Sequence, residues 1–234
     1  MQIKDFETDS MENITPPYLK PGDTIAIIAP ARFVTRDEMQ PTIRFLTAKG
    51  FMVKTSPRLF SQHYQFAGTD QERAEDFMEM IEDKSVRAIL CAIGGYGSVR
   101  ILELINLRKL QLNPKWIIGY SDITVLHSII SSWYGMETLH ATMPINFTSD
   151  ISGNESINYL VKALSGEQLS YKIPPHHFNH FGKSTGLMAG GNLSILNSLI
   201  GTDADITPQD RILFIEDLDE YLYHIDRMMM DLKR

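Results

Sequence analysis

The sequence predicts an α/β fold built on a parallel sheet, and three observations carry that prediction. Apolar, β-branched runs of strand length recur along the chain. Amphipathic segments with helix punctuation separate them, and the spacing between successive runs leaves room for a crossover helix. Each crossover packs its helix back onto the sheet, so runs this apolar are expected to be buried on both faces. The chain has 234 residues, 43% hydrophobic and 22% charged, which fits one large or two small globular domains.

The elements follow in order. Thr24-Ile25-Ala26-Ile27-Ile28-Ala29 opens after the turn Pro21-Gly22-Asp23 and closes at Pro30, as a fully buried strand should. Residues 35–49 carry early acidic residues, a proline near the first turn and Gly50 just past the end, which predicts a helix. A strand at 51–55 follows. Thr69-Asp70-Gln71-Glu72 matches a capping box, so a second helix is expected to run to about Asp83. Residues 86–92 form a third strand pattern, ended by Gly94-Gly95-Tyr96-Gly97, and residues 98–107 place apolar side chains at helical spacing. Trp116-Ile117-Ile118 leads through Gly119-Tyr120-Ser121-Asp122 into a helix reaching Trp133.

Between about Ile145 and Gly186 the composition shifts to Asn, Ser, Gly, Pro and His, which marks a domain boundary. Beyond it come residues 186–191, a helix over 192–200, a strand over 211–215 and a last amphipathic helix from about Tyr221. The expected partition is a leader over 1–18, an N-terminal α/β domain over 19–165, and a smaller C-terminal α/β domain over 166–234 that looks unfinished.

A net charge of −7 has the wrong sign for attracting phosphate backbones, so nucleic acid is excluded as an expected partner. No run approaches the roughly 18 to 20 apolar residues of a membrane span. The acidic residues Asp5, Glu7, Asp9 and Glu12 do not fit a signal or transit peptide. The single cysteine, Cys91, forms no internal disulfide and suits a reducing compartment; the expected location is cytoplasmic.

Several segments place chemistry-bearing residues where this fold binds ligands. Ser121 sits where an apolar strand turns abruptly into a helix, a place that lifts a hydroxyl above the sheet edge as nucleophiles require. A serine there can equally serve as the helix N-cap, and Ile123 stands where a nucleophile elbow would have its second glycine. Gly94, Gly95, Tyr96 and Gly97 open a turn whose amides can approach a ligand closely, although a tight turn without a ligand reads the same way. Neither a third dinucleotide-type glycine nor a P-loop lysine accompanies it. Glu216-Asp217 closes the strand 211–215, at the sheet edge where a carboxylate can orient a histidine or simply face solvent. His176, His177 and His180 lie among prolines, which argues for surface histidines rather than metal ligands. Cys91 falls inside a strand and is expected to act as a small hydrophobe. His127 and His140 stand near Ser121 in sequence and are minor candidates as bases.

Taken together the segments resemble the LD-carboxypeptidase family of serine peptidases, which comprises muramoyltetrapeptide carboxypeptidases and microcin C self-immunity proteins. The resemblance rests on Leu19-Lys20-Pro21-Gly22-Asp23, Ala67-Gly68-Thr69-Asp70 with Arg73, Ala92-Ile93-Gly94-Gly95-Tyr96-Gly97, Gly119-Tyr120-Ser121-Asp122-Ile123-Thr124, Leu139-His140, Gly190-Gly191-Asn192-Leu193, Gly201-Thr202, and Ile215-Glu216-Asp217 through Ile225-Asp226-Arg227, in family order. It implies a Ser-Glu-His triad that cleaves the L,D-amide to terminal D-alanine in murein tetrapeptides, a step of peptidoglycan recycling. Ser121 maps to the nucleophile and Glu216 to the acid. The amides of Gly95 and Asp122, with Gly94 and Tyr96 beside them, map to the oxyanion hole and substrate contacts. A cytoplasmic homodimer without metal or cofactor is also implied.

The family's histidine lies beyond the helix that here reaches Asp231-Leu232-Lys233-Arg234. Serine is a weak nucleophile without a base, so the expectation is that these residues are part of a longer enzyme and are nearly inactive alone. The other option is that His224 or His127 serves instead. Three competing readings stand beside the carboxypeptidase: an immunity-type amidase acting on a peptidyl nucleotide, a noncatalytic murein-peptide-binding protein, and a nucleotide-binding module.

Overall fold

The computed structural model describes residues 13–148 and 154–234. Most of the leader expected over 1–18 therefore lies outside the described residues. Five strands, β1 (Thr24–Ile28), β2 (Met52–Thr55), β3 (Val86–Cys91), β4 (Trp116–Gly119) and β5 (Leu139–His140), form one sheet in the order β2-β1-β3-β4-β5. Every pairing in it is parallel, as the apolar runs separated by crossovers predict.

Helices α1 (Arg36–Ala48) and α2 (Asp70–Glu82) each begin with a complete capping box, Thr35 with Glu38 and Thr69 with Glu72. Each box satisfies otherwise orphaned first-turn amides. Phe77, Met80 and Ile81 of α2 pack with Ile123, Leu126 and Ile130 against Ala26, Ile89, Cys91 and Ile117 on one face of the sheet. Leu46, Phe51, Trp116, Ile118, Ile157, Leu160 and Leu164 fill the other. The N-terminal unit is thus three layers, with helices on both sides of the sheet.

Two expectations are corrected here. Residues 98–107 do not form one α-helix: Ser98–Leu104 is a 3₁₀ turn, followed by the short α3 (Lys109–Leu112). Ser98 and Ile101 point inward three residues apart, the 3₁₀ period. The segment read as a compositional break contains α5 (Glu155–Leu164), capped by Asn154, and its Ile157, Leu160 and Leu164 complete the core of the large sheet.

The remaining elements form a second, two-stranded parallel sheet, β6 (Met188–Asn192) with β7 (Ile212–Glu216), accompanied by α6 (Leu193–Leu199) and α7 (Leu222–Leu232). This unit docks on α4 (Thr124–Tyr134), the helix that follows Ser121. Thr124 Oγ1 accepts from Asn192 N at 3.0 Å, Ser128 Oγ donates to Ala204 O, and Val125 packs with Leu199 and Ala204. One helix therefore follows the Ser121 turn and seats the second sheet. Among the described residues, no helix is long and apolar enough to cross a membrane.

Candidate active site

Ser121 holds a left-handed backbone, φ +60°, between the extended Tyr120 and a 3₁₀ turn that runs into α4. Strand, left-handed residue, helix is the geometry of a nucleophile elbow, and a non-glycine residue there is strained. Gly119 shows why the chain can turn so sharply, since a Cβ on it would fall 2.7 Å from Ile123 Cγ1. The N-cap alternative does not hold. Neither the 3₁₀ turn nor α4 has a side-chain cap, and Ser121 Oγ makes no hydrogen bond among the described residues.

The turn after β3 is folded against this elbow. A Cβ on Gly94 would lie 3.1 Å from Ser121 Cβ, 3.2 Å from its Oγ and 3.3 Å from Asp122 N. A side chain at residue 94 would press on the serine and make one of the two loops give way. The buried Asp122 accepts from Ser98 N at 2.8 Å through Oδ2 and so ties the first turn after the serine to the far end of the glycine turn. Arg73, 2% exposed, closes the turn from behind by donating to Pro30 O and to Gly97 O, the latter at 2.9 Å. Asp70 bridges Arg73 and the bidentate Arg100, whose Nε and Nη2 sit 2.9 and 2.6 Å away. The Arg100 hydrogen bond in particular holds the Asp70 carboxyl below the usual carboxylate range. Asp70 and Arg73 carry part of the family resemblance, and their spacing of three on one helix is the local signal of the pair; the link to Arg100, 30 residues on, leaves no such local signal.

Glu216 ends β7, in register with Asn192. Its Oε1 is buried without a hydrogen bond and lies 3.8 Å from His140 Nε2. Desolvation raises the Glu216 carboxyl above its ordinary range, Asp217 adds to the shift and the Asn192 amide opposes it. Desolvation likewise lowers the His140 imidazole. The neighbouring Asp217 accepts from Asn192 Nδ2 at 3.2 Å, Ser194 N at 2.9 Å and Leu218 N at 2.8 Å, anchoring the start of α6.

His140 pairs with Gly119 across β4 and β5, and its ring meets Phe214 edge-on at 5.1 Å. Two cavities of about 580 and 350 Å³ border it; the larger lies between α4–β5 and β6–β7, with Trp116, His127, Tyr171 and Phe214 in its walls. His127 is buried beneath β4 with Nε2 2.9 Å from Gly119 O, and burial pushes it down to about 4. His224 pairs with Glu220 at 2.8 Å. His176, His177 and His180 are exposed in a loop, and no group of three metal-ligating side chains occurs among the described residues. Cys91 is buried in β3, and desolvation pushes its thiol far up. The structure thus gathers Gly94, Ser121 and Asp122 at one point, with Gly95 and Tyr96 in the same turn, and brings Glu216 within 3.8 Å of His140. Among the described residues it brings no imidazole into hydrogen-bonding contact with Ser121.

Comparison with known proteins gives a consistent outcome. Residues 25–141 match the LD-carboxypeptidase N-terminal domain and residues 185–234 the LD-carboxypeptidase C-terminal domain. The probable murein peptide carboxypeptidase of Bacillus subtilis (strain 168) is 39% identical over 229 residues, covering 94% of this chain and 70% of the relative. An MccF-like protein from Bacillus anthracis str. Ames superposes with a TM-score of 0.83 at 28% identity, over 94% of this chain and 75% of that one. The muramoyltetrapeptide carboxypeptidase from Oxalobacter formigenes gives 0.79 at 27% identity, over 90% of this chain and 71% of that one.

Proposed function

From a chain that belongs to the LD-carboxypeptidase family of serine peptidases, we propose an enzyme that hydrolyses the L,D-amide before the terminal D-alanine of a murein tetrapeptide. Ser121 is the nucleophile. The observation that carries this assignment is the strained elbow at Ser121, folded against Gly94 with no cap bond on its hydroxyl. Attack on the scissile carbonyl builds negative charge on its oxygen, which the amides of Gly95 and Asp122 receive at the mouth of α4; losing one such donor costs on the order of 10² to 10³ in rate. Gly94 provides the clearance and Tyr96 borders the substrate.

Glu216 orients the imidazole that takes the serine proton and returns it to the leaving amine of D-alanine. In the family that imidazole follows the position of α7. His127 is a poor alternative, because its Nε2 is engaged by Gly119 O and its basicity is suppressed. His224 is engaged by Glu220. The resemblance further supports a cytoplasmic location and a homodimer, and light scattering of the purified protein tests the dimer.

The decisive experiment is D-alanine release from a murein tetrapeptide, read by mass spectrometry, with the protein extended through the family's histidine segment. Ser121→Ala should abolish release without altering the fold, and release that survives the substitution refutes the assignment. Residues 1–234 alone should be slower by on the order of 10⁴ to 10⁶ if the base lies outside them. The likeness to an MccF-like protein favours one second reading, an amidase acting on a peptidyl nucleotide, and the same assay with that substrate separates the two.

A further inference from the structure

Three arginines surround the glycine turn, and two are committed. Arg73 is buried on backbone carbonyls and Asp70, and Arg100 is held bidentate by Asp70. Arg32 is different. Its stem lies across Gly95 so closely that a Cβ there would fall 2.3 Å from Arg32 Cδ and 2.7 Å from Cγ. Its side chain is exposed, and the guanidinium takes no hydrogen bond or ion pair among the described residues. The backbone beneath it is nonetheless fixed: Arg32 bridges Phe66, Phe33 N donates to Gln65 O at 3.2 Å and Ala67 N to Ala31 O at 3.1 Å.

We infer that Arg32 is the subsite for the free terminal carboxylate of the substrate. The inference rests on the proposed function and deepens it. An exopeptidase has to recognise a chain end, and that carboxylate lies only two bonds beyond the scissile nitrogen, so its receptor has to stand beside the nucleophile and oxyanion donors. Arg32 does: it packs on Gly95, while the adjacent Gly94 packs on Ser121. It lies just past β1, at the carboxyl edge of the sheet where open α/β folds bind ligands. A guanidinium presents paired donors that match a carboxylate's two oxygens, a fit that an ammonium or a neutral amide does not reproduce. In a chain of net charge −7 with carboxylates already paired to the neighbouring arginines, an uncommitted cation at this turn is matched to an incoming anion.

The test is equilibrium binding by calorimetry to the full chain in a Ser121→Ala background, using a murein tetrapeptide ending in D-alanine and the same peptide as its C-terminal amide. The free acid should bind about tenfold to a hundredfold more tightly than the amide, the range of a charge-assisted hydrogen-bonded pair. Arg32→Gln should erase that preference by weakening the acid alone, and Arg32→Lys should restore part of it. An unchanged thermal midpoint of the variants establishes that they fold. Equal binding of acid and amide with Arg32 present, or an undiminished acid preference in Arg32→Gln, overturns the inference while leaving the carboxypeptidase assignment standing. Binding of neither peptide counts against the substrate assignment itself, and the role of Arg32 falls with it.

Discussion

Replacing Ser121 by glycine should make the protein more stable and wholly inactive. The serine sits at φ +60°, a region that costs a residue with a Cβ about 1–2 kcal/mol. Glycine removes that cost but gives back about 0.5–1 kcal/mol in unfolded-chain entropy. The contact of Ser121 Cβ with Gly94 is also lost, and the half-buried hydroxyl leaves no broken hydrogen bond behind. Ser121→Ala keeps the Cβ and therefore the strain, so it is the proper reference. Relative to alanine, the glycine variant should gain about 0.5–1 kcal/mol, raising the midpoint of a chain this long by about 1–4 °C. Paired calorimetric melts of the two variants read the difference directly. A glycine variant no more stable than the alanine variant would refute the claim that the elbow stores strain.

Other outcomes follow from the same geometry. Gly190→Ala places a Cβ 1.7 Å from Phe214 O at φ +142°, inside the β6–β7 ladder. It should cost about 3 kcal/mol or more by forcing backbone apart, whereas Gly201→Ala, at φ +75° with open space around it, should cost about 1 kcal/mol; urea titrations compare them. His127 is held neutral, its pKa depressed from 6.5 to about 4 by burial. A depressed folded-state pKa contributes stability above the unfolded value that is lost as pH falls toward the folded one, so acidification from 6.5 to about 4 should remove up to about 3 kcal/mol. His127→Gln retains a donor for Gly119 O and should flatten that part of the stability-versus-pH curve; an unaltered slope would locate the acid sensitivity elsewhere.

The core sheet was legible because parallel strands buried on both faces leave an unbroken apolar signature, as at Ile25, Ala26, Ile27 and Ile28. The start of α2 was legible because a capping box is a purely local device. Over seven residues, however, Ser98–Leu104 does not separate a period of 3.0 from 3.6, and the turn resolves as 3₁₀. Helix α5 carried Ile157, Leu160 and Leu164 at helical spacing, but the polar and glycine-rich residues around it dominated the local composition.

The site was legible as residue types and hidden as conformation. Serine at a strand-to-helix junction reads as a cap before it reads as a nucleophile, and what sets this one apart from a cap is a positive φ, with Ile123 folded over Gly119 and Gly94 against Ser121. The carboxylates of Glu216 and Asp217 are adjacent in sequence, yet Glu216 is the last residue of β7 and Asp217 lies just past its end. Phe214 and Glu216, two apart on β7, both meet His140, whereas Asp217 turns back to anchor α6. That encounter depends on two registers at once, Gly119 with His140 in the large sheet and Asn192 with Glu216 in the small one. Nothing local in either segment encodes the other. They are joined through the first residue of α4, where Thr124 accepts from Asn192 and packs on Gly191, so the helix that follows Ser121 also sets where the Glu216 carboxylate stands.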